Sequence, residues 1–244
     1  MRPDLQSCLA FINCQMQPAA APSLPHNGRP AWRVVTISRQ SGAGAHVVAE
    51  KLAGFLQATS KCTTRPWAMF DQNLVDAVLE DHRLPGRLAK FMPEDRVSEI
   101  EDALDDLFGL HPPTETLIRK TAETILHLAE LGNVILIGRG ANIITGKMPG
   151  VCHLRLIAPL NRRVEYISQL RGIGKKGAME FIRREDRGRR RYLKKYFGHD
   201  IDDPLLYHVV INTDRLGHEG AATMIGRMML AGDLPHSVFP PAGK

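Results

Sequence analysis

Two short stretches of this chain carry residue types that could handle phosphate. The first, Ser38-Arg39-Gln40-Ser41-Gly42-Ala43-Gly44-Ala45-His46, interrupts an apolar pattern with small residues. Small residues let backbone N–H groups close around an anion, and a helix beginning there adds favourable partial charge. The second, residues 183–191, reads R-R-E-D-R-G-R-R-R. Arg183, Arg187 and Arg191 recur at four-residue spacing, so on a helix they share one face. Guanidinium forks at that spacing could clasp phosphates bidentately. A bland reading of the same row is a solvated basic helix.

The loop departs from the signature G-x-x-x-x-G-K-[ST], in which the Lys reaches the β/γ-phosphates and the hydroxyl holds Mg²⁺. Arg39 stands at the first Gly, Ala45 at the Lys and His46 at the Ser/Thr. The missing charge must come from elsewhere, from Arg39, His46 or the 183–191 segment, or else the loop binds phosphate without transferring it.

The elements that must position these residues read as alternating strands and helices. Val34, Val35, Thr36 and Ile37 form a β-branched run before the loop, and Val47, Val48, Leu52, Phe55 and Leu56 resume at helical spacing after it. Residues 67–70 predict a short second strand, with a helix through Leu74, Val75 and Val78. The acidic segment 93–108 and residues 114–131 predict amphipathic helices. Residues 133–137, 151–157 and 208–212 predict three more strands, with a helix opened by Pro159, a basic helix from 175 to about 195, and a closing helix over 220–230. The glycines of G-I-G-K-K at 172–176 follow a helix rather than a strand, so they predict a hinge, not a second phosphate loop. This alternation predicts a parallel sheet flanked by helices on both faces, an α/β architecture.

Residues 1–32 read as a short helix over 4–16 and a Pro/Ala-rich linker, 33–231 as the folded domain with a mobile segment near 172–200, and 232–244 as a loose tail. Cys8, Cys14, Cys62 and Cys152 form no C-x-x-C pair, which excludes a zinc ribbon and predicts a reducing, cytoplasmic setting. No apolar run is long enough to span a bilayer, so no membrane partner is expected. No His/Asp/Glu set has metal-ligand spacing, so Mg²⁺ is expected to arrive with a nucleotide. His153 and Cys152, inside the 151–157 run, read as packed sheet residues. The net charge of +6 is concentrated at 162–195, and charge alone admits a nucleic acid as well as a nucleotide. The stretch has no recognised nucleic-acid motif, so a nucleic acid is not the expected partner. Homo-oligomer formation is left open.

Four ordered motifs give the chain a resemblance: I-S-R-Q-S-G-A-G at 37–44, V-I-L-I-G-R-G-A-N at 134–142, R-R-E-D-R at 183–187 and D-P-L-L-Y-H-V-V-I-N-T-D at 203–214. Together they resemble the cytidylate kinase-like family, the branch related to bacterial CMP kinases with an atypical P-loop. The resemblance implies a P-loop NTPase fold of the nucleoside monophosphate kinase type with a basic helical lid. It implies ATP as donor, Mg²⁺ as its companion, and a nucleoside monophosphate, CMP or dCMP first, as acceptor. Arg39, Ser41, Gly42, Ala43, Gly44, Ala45 and His46 would bind the ATP phosphates. Asp71 and Arg139 would bind the acceptor, Arg139 standing in G-R-G where CMP kinases have G-R-D. Arg184, Asp186, Arg187, Arg189 and Arg191 match the lid, and of these Arg184, Asp186, Arg187 and Arg191 would be catalytic. Tyr207 and His208 occupy the neighbourhood of the carboxylate that helps read cytosine. Two other readings remain: a catalytically weak nucleotide-binding regulatory module on the same fold, and a basic nucleic-acid-binding protein.

Overall fold

The computed structural model describes residues 11, 12, 14, 32–59, 66–71, 73, 94–108 and 116–231. The linker up to residue 31, the helix expected through Leu74 to Val78 and the tail lie outside the described residues. Of the helix expected over 4–16, Phe11, Ile12 and Cys14 are helical, and Phe11 meets Phe70 edge-to-face at 5.8 Å.

Five strands, β1 (Val34–Arg39), β2 (Ala68–Phe70), β3 (Val134–Ile137), β4 (Val151–Ile157) and β5 (Val209–Asn212), make one parallel sheet in the order β2-β3-β1-β4-β5. Parallel strands need helical crossovers that bury both faces, so the strands read as near-continuous apolar runs. Val35, Ile37, Ile135, Cys152 and Leu154 face α1 (Ala45–Thr59) and α7 (Thr213–Ala231). Val34, Val134, Leu136 and Val151 face α2 (Glu94–Phe108), α3 (Thr116–Leu131) and the short α4 (Ala141–Ile144). The expected solvated face of α2 has its counterpart in the burial of Ile100 and Leu104.

A helical hairpin of α5 (Leu160–Arg171) and α6 (Lys175–Phe197) follows β4, with its own small core of Val164, Ile167, Ala178 and Ile182. The glycines at 172 and 174 sit in its turn, Gly172 with a left-handed φ of 65°. The closing helix expected over 220–230 is present, preceded by a short helical turn from Thr213 that Asn212 Oδ1 caps by accepting from the Asp214 amide (3.0 Å). Gly217 (φ 69°, ψ 163°) separates the two as a kink within α7. The fold is the parallel, helix-flanked α/β architecture expected from the alternation of strands and helices. No described helix is long and apolar enough to cross a membrane.

Candidate functional site

Parallel strands all end on one sheet edge, so the turns after β1, β2, β3 and β4 converge there. The turn after β1 is the glycine loop. Gly42 and Gly44 hold φ of 84° and 76°, a region L side chains avoid. A Cβ at Gly42 would lie 2.8 Å from the Arg163 carbonyl oxygen, and one at Gly44 would collide with the His218 ring. The loop therefore has no room for side chains on either flank.

Residues around the loop fasten it to β4 and to the elements beside it. Gln40 Oε1 accepts from the Ala158 amide (3.1 Å), and the Gln40 amide donates to Leu156 O (3.0 Å). Thr213 Oγ1 lies 3.1 Å from Ala43 O and 3.3 Å from Ile157 O, tying the loop to β4 and α7. Ser38 Oγ accepts from Arg155 Nη1 (2.9 Å) and lies 3.2 Å from the Tyr207 hydroxyl, which donates to Ile201 O (2.8 Å). The S-R-Q sequence thus serves anchorage at Ser38 and Gln40, leaving Arg39 to face the site.

A carboxylate from the hairpin reaches into this loop. Asp186 Oδ1 accepts from the Ser41 amide at 2.7 Å and from Arg189 Nη1 at 3.2 Å. Asp186 Oδ2 accepts from Arg163 Nη1 at 2.7 Å. Arg189 Nη1 also donates to Ser41 Oγ at 2.5 Å, and Arg163 Nη1 to Ser41 O at 3.3 Å. Arg163 Nε donates to Ala158 O (3.0 Å), which fixes the guanidinium in place.

Arg39 lies beside Gly138, where a Cβ would strike its Nη1. Burial, helped by the neighbouring Arg189 charge, lowers its pKa to about 9; Asp71 and Glu185 pull the other way. The guanidinium remains a cation at neutral pH, but it is a costly one that an added anion would relieve. Burial likewise lowers Arg189, against Asp186 and Glu185. Arg139 belongs to the same electrostatic group and holds a left-handed φ of 53° between two glycines.

His46 and Asp71 meet directly, His46 Nε2 lying 3.0 Å from Asp71 Oδ2. Asp71 Oδ1 also accepts from the Asn73 amide (3.0 Å), closing the turn after β2. The residue expected at the acceptor thus touches the residue that begins the loop helix. Ala45 is buried in the core below the loop.

The structure brings Arg39, Ser41, Gly42, Ala43, Gly44, His46, Asp71, Arg139 and Asp186 to one end of the sheet. It does not bring Arg184, Arg187 and Arg191 there. All three are exposed. Ile182, Asp186, Arg189 and Leu193 share the inward face, since residues three and four apart stack on a helix. Arg189, rather than Arg187 or Arg191, is thus the arginine of this segment that contacts the loop here. The buried Ile182 and Leu193 were the signal: counting from either leads to Asp186 and Arg189.

Arg163 escaped the sequence reading, as did Arg155 and Asp202. Arg155, 5% exposed within β4, pairs through Nη2 with Asp202 Oδ1 at 2.5 Å, and Asp202 Oδ2 takes Arg190 Nη2 of α6 at 2.6 Å. Burial works against the charged Asp202, but the two arginines outweigh it and its pKa is lowered. Tyr207 and His208 are both occupied elsewhere: Tyr207 is buried against Ser38, and His208 Nδ1 accepts from the His153 amide (2.9 Å). No group of three or more His, Cys, Asp or Glu side chains among the described residues could hold a metal ion.

The model of the cytidylate kinase-like family matches residues 34–215. A cytidylate kinase from Pyrococcus horikoshii is 29% identical over 147 residues, covering 59% of this chain and 72% of that protein. A uronate isomerase from Corynebacterium glutamicum is 29% identical over 109 residues, which is 45% of this chain but spans 21% of that protein. The crystal structure of an uncharacterized protein from Eubacterium ventriosum superposes with a TM-score of 0.65 at 20% identity, covering 82% of this chain and 99% of that one; that likeness is one of fold. The chain belongs to the cytidylate kinase-like family.

Proposed function

We propose that this member of the cytidylate kinase-like family transfers the γ-phosphoryl group of ATP to a nucleoside monophosphate, with CMP or dCMP as the first acceptors to try. The observation that carries the reading is the convergence of Arg39, Arg163 and Arg189 on a glycine loop with no room for a Cβ at Gly42 or Gly44. Phosphoryl transfer asks for positioning and charge neutralisation rather than covalent help. Arg39 and Arg189, destabilised as cations by burial, take the part left open by Ala45. In this scheme α5 and α6 form the lid, and Arg189 is the lid arginine that meets the transferring group.

The residues present also fit a nucleotide carrying Mg²⁺. The Gly42 and Gly44 cradle suits phosphate oxygens, and Asp71 offers one hard carboxylate oxygen beside the loop helix. Mg²⁺ commonly takes one or two carboxylates together with substrate phosphates. When bound, the metal would neutralise charge developing between the phosphates. His46 would hold Asp71 in place through their hydrogen bond. Arg139, with its fixed left-handed backbone, would meet the acceptor phosphate.

A second reading has a specific observation in its favour. Asp186 already takes the Ser41 amide and two arginines, which suits a nucleotide-binding module that turns over slowly. Coupled ADP release across CMP, dCMP, UMP and other acceptors separates the two. Measurable ATP binding with no turnover on any acceptor would sink the kinase reading and leave the module.

A further inference from the structure

We infer that Asp186 is a built-in competitor for the donor phosphate, its carboxylate holding the loop's anion contacts until an incoming phosphate displaces it. The inference rests on the reading that the glycine loop binds phosphate.

The Asp186 carboxylate is met by three donors from three elements. These are the Ser41 amide in the loop (2.7 Å), Arg163 in α5 (2.7 Å) and Arg189 one turn further along α6 (3.2 Å). A backbone amide of a glycine loop and a pair of guanidinium groups are the donors that a phosphate oxygen takes. A carboxylate presents two oxygens of the same charge type, so it satisfies them in the same way. The need for an anion is built in. Ser41 is 5% exposed, and the Arg163 side chain 10%. Leaving a buried amide and a buried guanidinium without an acceptor is costly. Asp186 removes that cost in the free protein and keeps the loop in its binding shape.

Phosphate and the Asp186 carboxylate cannot share these donors, because both are anions and Ser41 has one N–H. Entry of the donor must therefore expel Asp186. The same displacement frees Arg163 and Arg189 to bond the ligand instead. Binding is thus an exchange of one anion for another, and its observed strength is lowered by the strength of the internal contact.

The test is calorimetric titration of the full chain with Mg-ATP and, separately, inorganic tripolyphosphate. Asp186→Asn keeps the shape and removes the charge. We expect it to bind both probes about tenfold more tightly, as removal of one charge-assisted competitor implies. Asp186→Ala should also bind tightly, and added acetate should weaken its binding while leaving the wild type unaffected. A merely structural clamp would have the opposite signature. Unchanged or weaker binding in variants that melt cooperatively would overturn the inference while leaving the phosphate-loop reading intact. If neither the wild type nor the variants bind either probe, the phosphate-loop reading fails and takes this inference with it. Binding by the variants alone would support both.

Discussion

Phe197, the last residue of α6, seats its ring on Gly140: a Cβ at position 140 would fall 2.7 Å from Phe197 Cε2. The ring also approaches Phe108 (6.2 Å) and Tyr192 (5.9 Å). The third position of G-R-G is thus covered by an aromatic ring.

Gly140 should accordingly resist substitution. Its φ is 72°, so an alanine would meet both backbone strain and the ring. Gly140→Ala is expected to lose about 2–4 kcal/mol, read from urea midpoints. Adding Phe197→Leu should recover part of that loss by relieving the collision, though not the strain.

The inward and outward arginines of α6 should separate in kinetics. Arg189→Ala should lower kcat/KM by on the order of 10²–10³, the scale for losing one charge-stabilising donor. Arg187→Ala should change it by no more than about threefold, since its side chain faces solvent. Steady-state rates with Mg-ATP and CMP decide it, and equal losses would restore Arg187 to the site.

The Arg155–Asp202 pair predicts an asymmetry. The Arg155 side chain is 6% exposed and that of Asp202 43%. Asp202→Asn strips a buried guanidinium of its counter-charge and should cost about 3–5 kcal/mol. Arg155→Met leaves Asp202 half in solvent with Arg190 still bound, so its cost should be smaller. Melting temperatures of the two variants, compared side by side, test the order.

His153 makes stability depend on pH. Burial, with some help from His208, pushes its pKa down to about 3 from 6.5, and its Nδ1 shares a 2.8 Å hydrogen bond with Thr36 Oγ1. The unfolded chain then binds a proton that the folded chain refuses. This contribution is complete above pH 6.5 and is lost progressively between pH 6.5 and about 3. Denaturant midpoints measured across that range should fall more steeply in the wild type than in His153→Gln; parallel curves would count against it.

The strands were legible because β-branched runs such as Val34 to Ile37 mark buried parallel strands without ambiguity. The glycine loop was legible because small residues between a strand and a helix have few other uses. The inward face of α6 was harder. In R-R-E-D-R-G-R-R-R every position is charged or glycine, so no apolar period says which side is buried; only Ile182 and Leu193, outside the motif, carry that information. Arg155 was hidden differently. Its partner Asp202 lies across a turn that sequence spacing does not bring near β4. Asp71 and His46 are separated by a crossover whose end point depends on the strand order, so their contact could not be read from the motifs.

The continuity of α6 has a mechanical consequence. One uninterrupted helix, about 35 Å long for its 23 residues, touches the glycine loop at Asp186 and the turn of Arg139 at Phe197. A stiff rod resting on two supports cannot lift from one without tilting on the other. If an incoming phosphate displaced α6 at the loop, it would load the Gly140 contact eleven residues further along the same helix.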